Sequence, residues 1–208
     1  MSAWQRLLKH FPAYAEVVNQ NPPTEFTDAL LTLRDATYDS HVKVSEIPSP
    51  HGIAPFAAAI RLDCAALDDN SNSGGAGRLV ILYDPLEQPG WQGRFRLVTM
   101  LHAQVDVDLV TEPLADQVCW SWLTDFLTQS GASFIQSAGS ITRSHSASFG
   151  ELDKRSESAE LEIRASWTPL TNNLASHGEA ISRLLAMMAG HAVELSAGIS
   201  RLGQVRLV

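Results

Sequence analysis

Two neighbouring stretches bring an arginine, a histidine and a tryptophan into one alternating frame: FIQSAGSITRSHSASFG at 134–150 and AELEIRASW at 159–167. In an extended chain, successive side chains point to opposite faces. Ile141, Arg143, His145, Ala147 and Phe149 therefore share one face, and Ala159, Leu161, Ile163, Ala165 and Trp167 share one face of the second stretch. Antiparallel pairing of the two apolar faces is expected to put His145 near Ile163 and Arg143 near Ala165, with Trp167 close by. A guanidinium, an imidazole and an indole at one spot could hold a small anion. An arginine on an apolar face is costly unless paired. An acidic side chain from another element is the simplest partner. A register that leaves Arg143 and His145 in solvent, or an anionic ligand bound by Arg143, His145 and Trp167, are the other readings.

Other chemistry is sparse. Ser144, His145 and Ser146 are adjacent, but neighbours on a strand face opposite ways and so form no nucleophile and base. There is no GxSxG elbow. No two of the seven histidines have zinc-ligand spacing on one helix, and no cysteine pair supports them. Asp106, Asp108, Glu112 and Asp116 could meet a hard cation, although a solvated acidic rim accounts for them. The glycines of LDDNSNSGGAG at 67–77 precede a strand, whereas a dinucleotide loop follows a strand and opens a helix. No cofactor, metal site or catalytic residue is expected, and a non-enzymatic role is favoured over an unrecognised enzyme.

The elements that must position these residues follow from periodicity. Trp4, Leu7, Leu8, Phe11, Tyr14, Val17 and Val18 have helical spacing, interrupted by Pro12, and mark residues 1–20 as an N-terminal helical extension. Residues 21–208 read as one α+β domain with a flexible loop at 67–77. Thr24 is placed to cap a helix with Phe26, Leu30, Leu31 and Leu33 on its apolar side. Strands are expected at HVKVSEI, IAPFAAAIRLDC, LVILYD and RFRLVTMLHAQVDV. LVILYD is apolar throughout, as a strand covered on both faces should be. In the fourth strand Phe95, Leu97, Thr99, Leu101, Ala103, Val105 and Val107 face one way. Thr111, Glu112 and Pro113 should open a helix in which Leu114, Ala115, Val118, Cys119, Trp122 and Phe126 form a stripe. Trp120 falls off that stripe and should pack under another element or meet a partner. Gly131 is the natural stop, the Arg143 hairpin follows, and NNLASHGEAISRLLAMMAGHAVEL is a last helix. The fold class expected is α+β: an antiparallel sheet of about six strands with helices on one face, in the order α-β-β-β-β-α-β-β-α.

The net charge of −8, with 45% apolar and 18% charged residues, describes a folded chain ill-suited to nucleic acid or anionic membrane. Two cysteines make no disulfide framework and point to a reducing cytoplasm. No apolar stretch approaches a membrane span, and the first residues lack the apolar core of a secretory signal. Surplus aromatics at Trp4, Trp91 and Trp120, without any catalytic motif, favour a protein partner or self-association. The small-anion site near Arg143 and His145 is the alternative.

WSWLTDFL, then ITRSHSASFG, then ELEIRASWTP, preceded by EIPSPHGIAPFAAAI and GRLVILYDP, resemble in order the domain of unknown function 3000 family, over roughly residues 24–198. The resemblance implies an actinobacterial, cytoplasmic protein and no assigned activity. The element order is also similar to that of type III secretion chaperones, which bind protein segments; this likeness is one of fold alone.

Overall fold

The computed structural model describes residues 22–66, 74–149 and 157–193. The elements are α1 (Thr24–Arg34), β1 (Val42–Ile47), β2 (Phe56–Cys64), β3 (Gly75–Tyr83), β4 (Phe95–Val105), α2 (Val107–Thr111), α3 (Ala115–Gln129), β5 (Phe134–Ser146), β6 (Ser158–Pro169) and α4 (Ala175–Met188). The fold is α+β as expected. The strands form one six-stranded sheet in the order β1-β2-β3-β4-β6-β5, and every pair is antiparallel. The second hairpin returns so that β6, not β5, joins β4. Composition explains the choice. Ala159, Leu161, Ile163, Ala165 and Trp167 bury a full apolar face of β6 between two neighbours. The serine-rich β5 has too little apolar surface for a central position and takes the edge.

The core fills one face of the sheet. Phe56, Leu62, Leu79, Ile81, Leu97, Leu101, Ile163 and Trp167 meet α1, α3 and α4 in a single cluster. In α3 the buried stripe is Ala115, Cys119, Trp122, Leu123, Phe126 and Leu127, with Trp122 only 5% exposed. Leu114, placed on that stripe from sequence, is exposed. Gly131 stops the helix as expected, at φ +74°. Its N–H donates to the Thr128 carbonyl and that of Ala132 to Leu127, which satisfies two of the last free carbonyls of α3.

Four local expectations are corrected. Pro23, not Thr24, holds the cap position of α1, and no side chain caps it. Val107 belongs to α2 and not to β4, since the chain turns helical one residue after Asp106. Thr111 ends α2 and Glu112 is extended, so α3 opens only at Ala115, behind Leu114. The proposed loop at 67–77 is too long. Gly75 and Gly77 are strand residues, paired to Cys64 and Leu62 on one side and to Ala103 and Leu101 on the other. A Cβ on Gly75 would come within 2.9 Å of Leu185 of α4, so glycine there lets the last helix approach the sheet. The rest of that loop lies largely outside the described residues, as does the N-terminal extension.

Candidate functional site

Arg143 lies on the helix-covered face of β5, and its side chain is 24% exposed. Its Nη1 donates to the carbonyls of Val110 at 2.7 Å and Glu112 at 2.9 Å. Nε and Nη2 reach the two oxygens of Asp116 at 2.8 and 3.2 Å. This is the acidic partner that the sequence called for, although Asp116 is itself 53% exposed. The guanidinium ties the α2–α3 corner to the sheet edge. His145 faces the same way and meets Glu157 at 3.3 Å, with both side chains well exposed.

The hairpin register differs from expectation. Arg143 pairs with Leu161 and His145 with Ala159, four residues further toward the β6 start than the apolar match suggested. The faces are as expected, because a slip of four, like any even slip, keeps side chains on their sides. The slip removes Trp167 from the group. Trp167 lies six residues from Leu161 along β6, or roughly 20 Å at the usual strand rise. It is fully buried, and its indole N–H donates to Nδ1 of His177 at 3.1 Å. The fold thus brings Arg143 and His145 together and leaves Trp167 apart from them.

Trp91 is half-buried in the β3–β4 connection, where its carbonyl accepts from Thr168 at 2.6 Å. Trp4 lies outside the described residues. Trp120 is half-buried on α3 and lies against β5: a Cβ on Gly139 would come within 2.7 Å of its ring. The indole therefore sits over a glycine gap in the edge strand.

That edge is the feature periodicity could not show. The sheet has two ends, and they differ. β1 is a short strand with the exposed Lys43 on it, and Pro48 follows directly. It also turns Glu46 onto the core side opposite Ile60, where burial pushes the carboxyl up to about 7. Short length, lysine, proline and an inward charge all discourage a further strand. β5 is 13 residues long and, among the described residues, is bonded only to β6. It contains no lysine and no proline. Its one inward arginine is already neutralised by Asp116 and two carbonyls. A bulge at Gln136, at φ +53°, closes only its first end. Arg96 reaches across β6 to hold that bulge, donating to the Gln136 carbonyl at 2.9 Å, to Thr168 at 3.1 Å and to Ser166 at 2.7 Å. Beyond the bulge, alternate residues of 138–146 direct N–H and C=O groups away from the sheet, as any antiparallel edge does. Beside this edge the core layer is left partly open at Leu109, Val118, Trp120, Phe134 and Ile141.

Among the described residues, no group of three or more His, Cys, Asp or Glu side chains could hold a metal, and no helix is long and apolar enough to cross a membrane. Cys64 and Cys119 are buried free thiols, pushed up to about 11 and 12, chiefly by burial. Residues 22–196 match the model of a family described as protein of unknown function (DUF3000). No curated protein and no solved structure matches the chain.

Proposed function

The chain belongs to the DUF3000 family, and on that premise we propose that it is a non-catalytic protein-binding module that takes an extended partner segment onto β5. The observation that carries this reading is the long edge strand, which has no second strand partner among the described residues, flanked by half-open apolar side chains. A segment added there gains main-chain hydrogen bonds from 138–146. Its alternate apolar side chains would extend the core layer over Trp120, Ile141 and Phe134. A half-buried indole beside an open edge is the kind of anchor that dominates interface energy. The anionic-ligand alternative is weaker, because Arg143 already donates to a carboxylate and two carbonyls. Two buried free thiols support work in a reducing cytoplasm, here that of an actinobacterial cell, as the family resemblance implies.

Ser140 and Ser144 are exposed on the face of β5 away from the helices. The double variant Ser140→Lys/Ser144→Lys should melt like wild type, because neither side chain packs. Edge lysines should abolish retention of the protein that co-purifies with tagged wild-type chain. Unchanged retention by a folded double variant would count against the edge.

A further inference from the structure

The sheet face turned away from the helices carries an apolar band at one end. Ile47, Ala59, Val80 and Val98 stand in one row across β1 to β4, and Ala57 and Leu82 stand in the next row toward the sheet end. Ala57, Ala59 and Leu82 are 7%, 1% and 4% exposed, yet none belongs to the core cluster that the helices cover. A leucine standing on a sheet face reaches such burial only beneath a cover. The unbroken run LVILYD makes the same demand, since a strand with one wet face alternates. The helices described all pack on the opposite face.

The described chain begins beside this band. Glu25, in the first turn of α1, accepts from the Tyr83 hydroxyl at 2.8 Å and pairs with Arg94 at 2.7 Å. Phe26 packs on Phe56, Tyr83 and Phe95 at the sheet end. Ala57, Leu82 and Arg96 are the next residues on those three strands and face the other way. Immediately before α1 lie the residues with Trp4, Leu7, Leu8 and Phe11 at helical spacing. A helix of some 18 residues is about 27 Å long, and four strands span only about 14 Å.

We propose that residues 1–20 cross the sheet end and lay this stripe on the Ile47–Val98 band of their own chain. The extension is then a cover for the open face and not a membrane anchor. The β5 edge remains the open surface of the sheet.

The test is cysteine labelling in the full-length chain. Val80→Cys places a thiol in the band, and Cys64 and Cys119 react slowly because they are buried with raised pKa values. Adding Leu7→Asp/Leu8→Asp should speed maleimide labelling at position 80 by about tenfold or more, as loss of a local cover does. Labelling of Ser140→Cys, on the polar part of the same face, should stay constant and shows that the sheet is intact. Equal rates at position 80 with and without the aspartates would overturn the proposal. Protection that grows with protein concentration would assign the band to a second copy and overturn it as well. If the double aspartate variant does not melt cooperatively, Trp4→Ala takes its place with the same readings.

Discussion

The indole N–H of Trp167 donates to Nδ1 of His177, 3.1 Å away, with both rings buried in the core. Because Nδ1 accepts, the imidazole is neutral and carries its proton on Nε2, which finds no partner among the described residues. Burial pushes the pKa down from 6.5 to about 4.

A pH dependence follows. Between those two values the unfolded chain binds more protons than the folded one. The stabilisation is complete above pH 6.5 and is lost as the pH falls toward 4. The loss from this group alone is roughly 3 kcal/mol. Glu46 works in the opposite sense, because its carboxyl is raised to about 7. His177→Asn keeps an acceptor near Trp167 and removes the titration. Denaturant midpoints at pH 7 and pH 4.5 should therefore converge for the variant relative to wild type. Equal pH slopes would contradict the assignment of His177.

The two tryptophans of α3 should separate stability from binding. Trp122 is 5% exposed in the core, so Trp122→Ala should cost about 3–5 kcal/mol in denaturant titration. Trp120→Ala should cost clearly less yet weaken partner retention. A Trp120→Ala protein that loses as much stability as Trp122→Ala would place Trp120 in the core and not at an interface.

Arg143 should be of moderate structural importance. Its partner Asp116 is more than half exposed, so the ion pair alone is worth about 0–1 kcal/mol. The two carbonyls of Val110 and Glu112 lose their donor as well. Arg143→Met is expected to cost about 1–2 kcal/mol, and Asp116→Asn at most about half of that. A more stable Arg143→Met chain, with a thermal shift to small anions lost, would revive the ligand reading.

Gly139 has no room for a side chain. An added Cβ would strike the Arg164 carbonyl of β6 and approach the Trp120 ring and Ala165. Gly139→Ala should therefore destabilise by about 1–3 kcal/mol and move the Trp120 ring. Stability equal to wild type would mean that the edge strand is not held this close to β6.

Alternation made β4, β5 and β6 and their faces legible, and helical spacing identified Trp122 as core. Three things were not legible, each for a physical reason. The hairpin register depends on where the connection turns, and apolar matching cannot distinguish slips of an even number of residues, so it points Arg143 at Ala165 and not at Leu161, four residues away. Gly75 and Gly77 look like loop residues because the groups that leave no room for their side chains are distant in sequence, Leu185 of α4 for Gly75 and Leu101 of β4 for Gly77. Strand order leaves no period in a sequence, so nothing in SITRSHS announced an edge. The weak clue was compositional: a long strand of serines beside an apolar partner suits the outside of a sheet.

Backbone hydrogen exchange over 134–146 tests the edge most directly. The measurement compares the chain alone with the chain bound to the protein that co-purifies with it. In the free chain, the amides of β5 that point away from β6 should exchange quickly, and those bonded to β6 slowly. Binding should slow the outward set and leave the β1 edge unchanged. Partner-induced protection elsewhere, with 134–146 unaltered, would contradict strand addition at β5.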